Sequence, residues 1–148
     1  MTLPAPIEYA YSEDDGRPIK FDLYQPADYN PAAQKYKTLI FYHGGGLVAG
    51  SRRFLANNLL LFLEQNWIFL SVDYHLLPES GVKEIRDDTV ALEAWLLKHH
   101  EEIGVDLNRV AIAGASSGKL TLQPAQDIGL GRKTIQLTNC QTRSIRRH

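Results

Sequence analysis

Gly114-Ala115-Ser116-Ser117-Gly118 places a serine between two glycines, each two residues away. A serine that attacks a carbonyl must sit on a sharp, strained turn that pushes its hydroxyl outward, and small neighbours leave room for that turn. Ser116 is the candidate nucleophile, with Gly114 and Gly118 shaping the turn around it. The same five residues also fit an ordinary strand-to-loop turn rich in small side chains. His43-Gly44-Gly45-Gly46 is a second cluster. Attack on an ester builds negative charge on the carbonyl oxygen, and each backbone N–H aimed at that oxygen is worth ~3–4 kcal/mol. Glycines let the chain turn its amides that way. A flexible loop or a phosphate cradle also uses glycines. A phosphate loop, however, wants a lysine and a Ser/Thr after them, and Leu47-Val48-Ala49 follows here.

Both clusters must be held by buried strands. Thr38 to Tyr42 is a short apolar run that ends at His43, and Val110 to Ala113 is another that ends at Gly114. Trp67 to Tyr74 is a third. Such runs, bounded by turns, predict parallel strands buried on both faces. Phe54 to Gln65 and Ile85 to Ile103 carry apolar residues at helical spacing, and Gly104 marks the expected end of the second. Ile7 to Ser12 and Ile19 to Tyr24 read as two strands joined by the turn Glu13 to Pro18. Alternating strands and helices imply crossover connections and a mostly parallel sheet with helices on both faces. His43 to Gly46, Asp73 to Glu79 and Gly114 to Gly118 then gather at the strands' C-terminal edge, where ligand groups collect in such sheets.

The 148 residues suit one domain. A net charge of −1 gives no argument for nucleic acid or an anionic membrane. Met1 to Ala10 lacks a basic start and a long apolar stretch, and no apolar run is long enough to span a membrane. With Cys140 as the single cysteine, a cytoplasmic setting is the expectation. No spacing of His, Cys or acids suggests a metal, so none is expected, nor a cofactor. Oligomeric state is not indicated. The charge is uneven: residues 119–148 hold six basic residues against one acid, Asp127. Pro124, Gly129 and Gly131 interrupt any helix there, and the apolar residues keep no period. The organisation read from sequence is residues 1–118 as the patterned part and 119–148 as a basic, unpatterned tail. That tail reads as a surface segment or as translation through a shifted frame or an intron.

Between the two motifs lies Asp73-Tyr74-His75-Leu76-Leu77-Pro78-Glu79. With it, roughly Ile19 to Gly118 resembles the hormone-sensitive-lipase-like branch of the α/β-hydrolases, an esterase and lipase branch. That branch carries His-Gly-Gly-Gly, then Asp-Tyr-Arg-Leu-x-Pro-Glu, then Gly-Asp-Ser-Ala-Gly. The resemblance implies the N-terminal half of an α/β-hydrolase fold, lacking the C-terminal strands. It implies Ser116 as nucleophile, amides of Gly45, Gly46 and Ser117 as the oxyanion hole, and His43 and Gly44 as shapers of the loop. A carboxylic ester is the implied substrate. Here Ala115 stands where the branch has aspartate and His75 where it has arginine. Lys119 and the unpatterned tail replace a further glycine and an apolar helix.

A nucleophilic serine needs a base and an orienting carboxylate, and in this fold both follow it in the chain. After Ser116 come only Asp127 and His148. Asp127 arrives without intervening strands, so this pair is not expected to serve. His99 and His100 belong at the opposite edge of the sheet, and if the strands order as the family resemblance implies, His75 ends a strand not adjacent to that of Ser116. Asp73, Glu79, Asp87 and Asp88 read as loop and helix-start partners. The expectation is therefore a serine carboxylesterase by resemblance, inactive as a truncated chain. Two alternatives accompany it. One is a small-molecule-binding protein on the same scaffold, as in the plant gibberellin receptors, which resemble this family yet lack the catalytic histidine. The other is a fragment without molecular function.

Overall fold

The computed structural model describes residues 3–55 and 58–118. Its strands are β1 (Ile7–Asp14), β2 (Arg17–Tyr24), β3 (Tyr36–Tyr42), β4 (Trp67–Val72) and β5 (Val105–Gly114), and its helices are α1 (Leu59–Glu64) and α2 (Val82–His99). The sheet order is β1-β2-β4-β3-β5. β4, β3 and β5 run parallel, and the hairpin β1-β2 joins antiparallel through β2. β3, between β4 and β5, separates the two strands that lead to His75 and Ser116.

Alternation along the parallel strands divides the core into two layers. Ile40 and Tyr42, Ile68, Leu70 and Val72, and Val110 and Ile112 face Ile85, Leu92 and Leu96 of α2. Leu39 and Phe41, Phe69, and Ala111 and Ala113 face Leu59 and Leu63 of α1. Register explains the layering: Ile40 lies between Leu70 and Ile112, and Leu39 between Phe69 and Ala111. Phe69 and Leu70 are wholly buried, and each such side chain stabilises the fold by about 1.5–3 kcal/mol. Both faces of these strands are covered, which is why their sequences are apolar nearly throughout.

Two helices differ from the periodicity. The expected Phe54–Gln65 helix is shorter, because α1 begins at Leu59 and Phe54 is an exposed turn residue. Arg52 accounts for the turn. Its N–H donates to Asp73 Oδ1 at 2.6 Å, and its carbonyl accepts from Ser71 Oγ at 2.6 Å. Residues 51–53 are thereby tied to the end of β4 in a non-helical path. The second helix starts three residues before Ile85, where Gly81 N–H donates to Glu84 Oε2 at 2.8 Å and opens the first turn. It stops at His99, before Gly104. Residues 100–104 form a separate turn, with Gly104 at φ +70. A side chain at Gly104 would meet Pro31 Cβ at 2.9 Å. Asp87 and Asp88, expected at a helix start, lie inside α2 instead.

Candidate active site

The serine turn grows out of β5. Ala115 N–H donates to Tyr42 O at 3.0 Å, extending the β3–β5 ladder by one bond beyond Gly114. Residues 116–118 then form a single tight turn closed by Gly118 N–H to Ala115 O at 2.9 Å. Ser116 has φ +49 and is exposed. A non-glycine residue in the left-handed region is uncommon, and strain of this kind collects at functional sites. Gly118 makes the turn possible by close approach. A Cβ there would lie 2.3 Å from Tyr42 O and 2.6 Å from His43 O.

The glycine loop lies directly against this turn. A Cβ on Gly44 would be 3.4 Å from Ser116 Cβ. Gly45 has φ +131, and a Cβ on it would be 2.1 Å from Ala49 O, so the loop doubles back on itself there. Gly45 O accepts from Val48 and Ala49. Leu47 N–H donates to Ser117 Oγ at 3.3 Å and joins the two motifs.

His43 is 1% exposed. Its ring stacks on Tyr74 at 4.4 Å, and its Nδ1 lies 2.8 Å from Gly44 O. The ring also packs against Gly50, where a Cβ would come within 2.4 Å of Nδ1. Tyr74 OH donates to His43 O at 2.6 Å. Burial pushes the Tyr74 pKa up, and the neighbouring Ser117 hydroxyl acts in the opposite sense. The histidine is thus committed to the loop. The remaining described histidines are engaged elsewhere. His75 bonds Asp88 and Asp14, His99 stacks on Trp95 and bonds Glu102, and His100 faces Glu101. Asp127 and His148 lie outside the described residues.

Several site-supporting residues carry no local signature. Arg52 bonds Asp22 at 2.8 Å, Asp73 and Glu8, so it fastens the segment after the glycine loop to β1, β2 and the end of β4. Burial acts to lower its pKa, but the hydrogen bonds it donates to Asp22 and Asp73 outweigh it and raise it. Asp88 is the exception that sequence could have shown. It lies on the same helical face as Ile85, Leu92 and Leu96, where a carboxylate needs a partner.

A cavity of about 600 Å³, lined by Gln25, Asp28, Leu60, Leu63 and Glu64 among others, lies away from Ser116, near the start of β4. Ser116 itself stands open on the described residues. Among those residues no cluster of His, Cys, Asp and Glu could hold a metal, and no helix is long and apolar enough to cross a membrane.

Residues 39–132 match the model of a family described as alpha/beta hydrolase fold, a match that runs past Gly118. Esterase LipI of Mycobacterium tuberculosis is 31% identical over 117 residues, covering 76% of this chain and 36% of that protein. A probable carboxylesterase M8 of a Phoma species is 31% identical over 124 residues, with coverages of 75% and 39%. The esterase Est2 of Thermogutta terrifontis superposes with a TM-score of 0.72 at 25% identity, covering 80% of this chain and 42% of that one. The chain spans well under half the length of these proteins.

Proposed function

This chain belongs to the alpha/beta hydrolase fold family, and from that premise we propose that Ser116 is the nucleophile of a serine carboxylic-ester hydrolase. One observation carries the proposal. Ser116 stands exposed on a left-handed turn with the glycine loop packed against it. The esterase names of the proteins it resembles support the same reaction class. In the proposed reaction Ser116 Oγ attacks the ester carbonyl carbon and the hydroxyl proton passes to a base. The carbonyl oxygen, now an anion, is held by amides of Gly45, Gly46 and Ser117. The alcohol leaves with a proton, and water then releases the acid from the serine ester. Removing one such amide from a working site lowers kcat about 10²–10³-fold.

A second reading has its own observation. The ring of every described histidine is engaged with groups other than Ser116, which favours a protein that holds a small ester or acid at the glycine loop without turning it over.

A fluorophosphonate probe separates the two, since it reports nucleophilicity without turnover. We expect a mass adduct on the Ser116 peptide and none on the Ser116→Ala protein. An unlabelled protein whose Tm rises with small esters would support the binding reading. Hydrolysis of a chromogenic ester that survives Ser116→Ala would overturn the assignment.

A further inference from the structure

Both ring nitrogens of His75 face carboxylates. Nδ1 lies 2.9 Å from each oxygen of Asp88, and Nε2 lies 3.1 Å from Asp14 Oδ2. A neutral imidazole carries one N–H, so one of its nitrogens would turn a lone pair toward a carboxylate. Only the imidazolium donates at both. Asp88 is 3% exposed and also accepts the His75 backbone N–H at 2.7 Å. A carboxylate so buried needs a charged or hydrogen-bonding partner. The three residues come from three elements: Asp14 ends β1, Asp88 lies within α2, and His75 follows β4. Two residues beyond His75, Leu77 N–H donates to Leu47 O at 2.7 Å. Leu47 is held at φ +64, and its own N–H reaches Ser117 Oγ.

We propose that His75 is a positioning residue: as an imidazolium it clamps the β1–β2 hairpin and α2 to the loop after β4, and through Leu77 and Leu47 it holds the glycine loop against the Ser116 turn. The groups facing it are Asp14 from β1 and Asp88 from α2, with Asp87 beside Asp88. Tyr11 of β1 bonds the backbone of Asp73 next to the clamp. Burial alone would lower the His75 pKa, but the hydrogen bonds and charges of Asp14 and Asp88 outweigh it and raise it. Burial raises Asp88 as well, against the pull of His75. The clamp is a property of the fold whether or not Ser116 is a nucleophile; only its value to ester hydrolysis rests on the proposed function.

The test follows the His75 ring and the amides of Leu47 and Leu77 by NMR across pH. The ring should titrate above the ordinary histidine value of about 6.5. Asp14→Asn, an exposed change that leaves the core intact, should bring that midpoint down. Hydrogen-exchange protection at Leu47 and Leu77, corrected for intrinsic exchange, should fall about tenfold or more as pH passes the midpoint. His75→Gln should show the low protection at every pH, and His75→Arg, permanently charged, should restore it and remove the pH dependence. A midpoint at or below the ordinary value overturns the clamp, as does protection that ignores it. Loss of Ser116 labelling with the titration intact would strike the ester reading alone.

Discussion

The nucleophilic role proposed for Ser116 rests on backbone placement more than on side-chain contacts. A left-handed serine projects its hydroxyl, and two close approaches hold it there: Gly44 against Ser116 and Gly118 against the carbonyls of Tyr42 and His43. Gly118→Ala should therefore destabilise the protein, since the atoms it meets are backbone and cannot swing aside. Overpacking of this kind costs about 1–3 kcal/mol. Urea unfolding should show the midpoint drop with an unchanged slope, and a neutral result would mean that the turn relaxes freely. Both motifs were legible at this scale because each is a run of adjacent residues. Arg52 was not, because its carboxylates on Glu8, Asp22 and Asp73 lie 44, 30 and 21 residues away.

Among the elements, the parallel strands were readable and the helix boundaries less so. β3, β4 and β5 are apolar on both faces because each is covered twice, and that pattern survives without any alignment. The leucines of residues 54–65 also keep helical spacing, yet among the described residues of that stretch only Leu59–Glu64 is helical. Periodicity reports which side chains meet the core, whereas the path of residues 51–53 is held by Arg52 and its bonds to Ser71 and Asp73. Arg52→Met should test this. Asp22, 4% exposed, would lose its cation, and stranding a buried charge costs about 3 kcal/mol or more. Double-mutant analysis with Asp22→Asn should recover part of the loss. Additive effects would show that the pair is not coupled.

For the whole molecule, charge pairs of opposite sense bracket the stability. Glu8, Glu101 and Asp106 sit below their ordinary range, chiefly through hydrogen bonds from Lys20, Lys35 and Arg109. Groups with lowered pKa stabilise above their unfolded values and lose that contribution as pH falls through the folded ones. His75 is raised, so its contribution is full below about 6.5 and is lost as pH rises through its folded value. Asp88, also raised, works in the same direction as His75, beginning in the carboxylate range. The expected Tm profile has its maximum in mild acid and declines on both sides, with the upper decline absent in His75→Arg. A profile flat from mild acid into the alkaline range would contradict this assignment of the ionised partners.

Sequence alone determined the α/β class, the three buried strands, and the two motifs that end at Gly46 and Gly118. All of these follow from short-range chemistry: apolar runs must be covered, and glycines must stand where no Cβ fits. Tertiary structure decided the sheet order, which puts β3 between β4 and β5 and so brings the glycine loop to the serine turn. It also decided what the charged residues do. His75, Asp14 and Asp88 are remote in sequence and meet only because a hairpin, a loop and a helix end up adjacent. A charged side chain reads as surface until the fold shows which charges share its burial, because the energy of a charge is set by its neighbours in space.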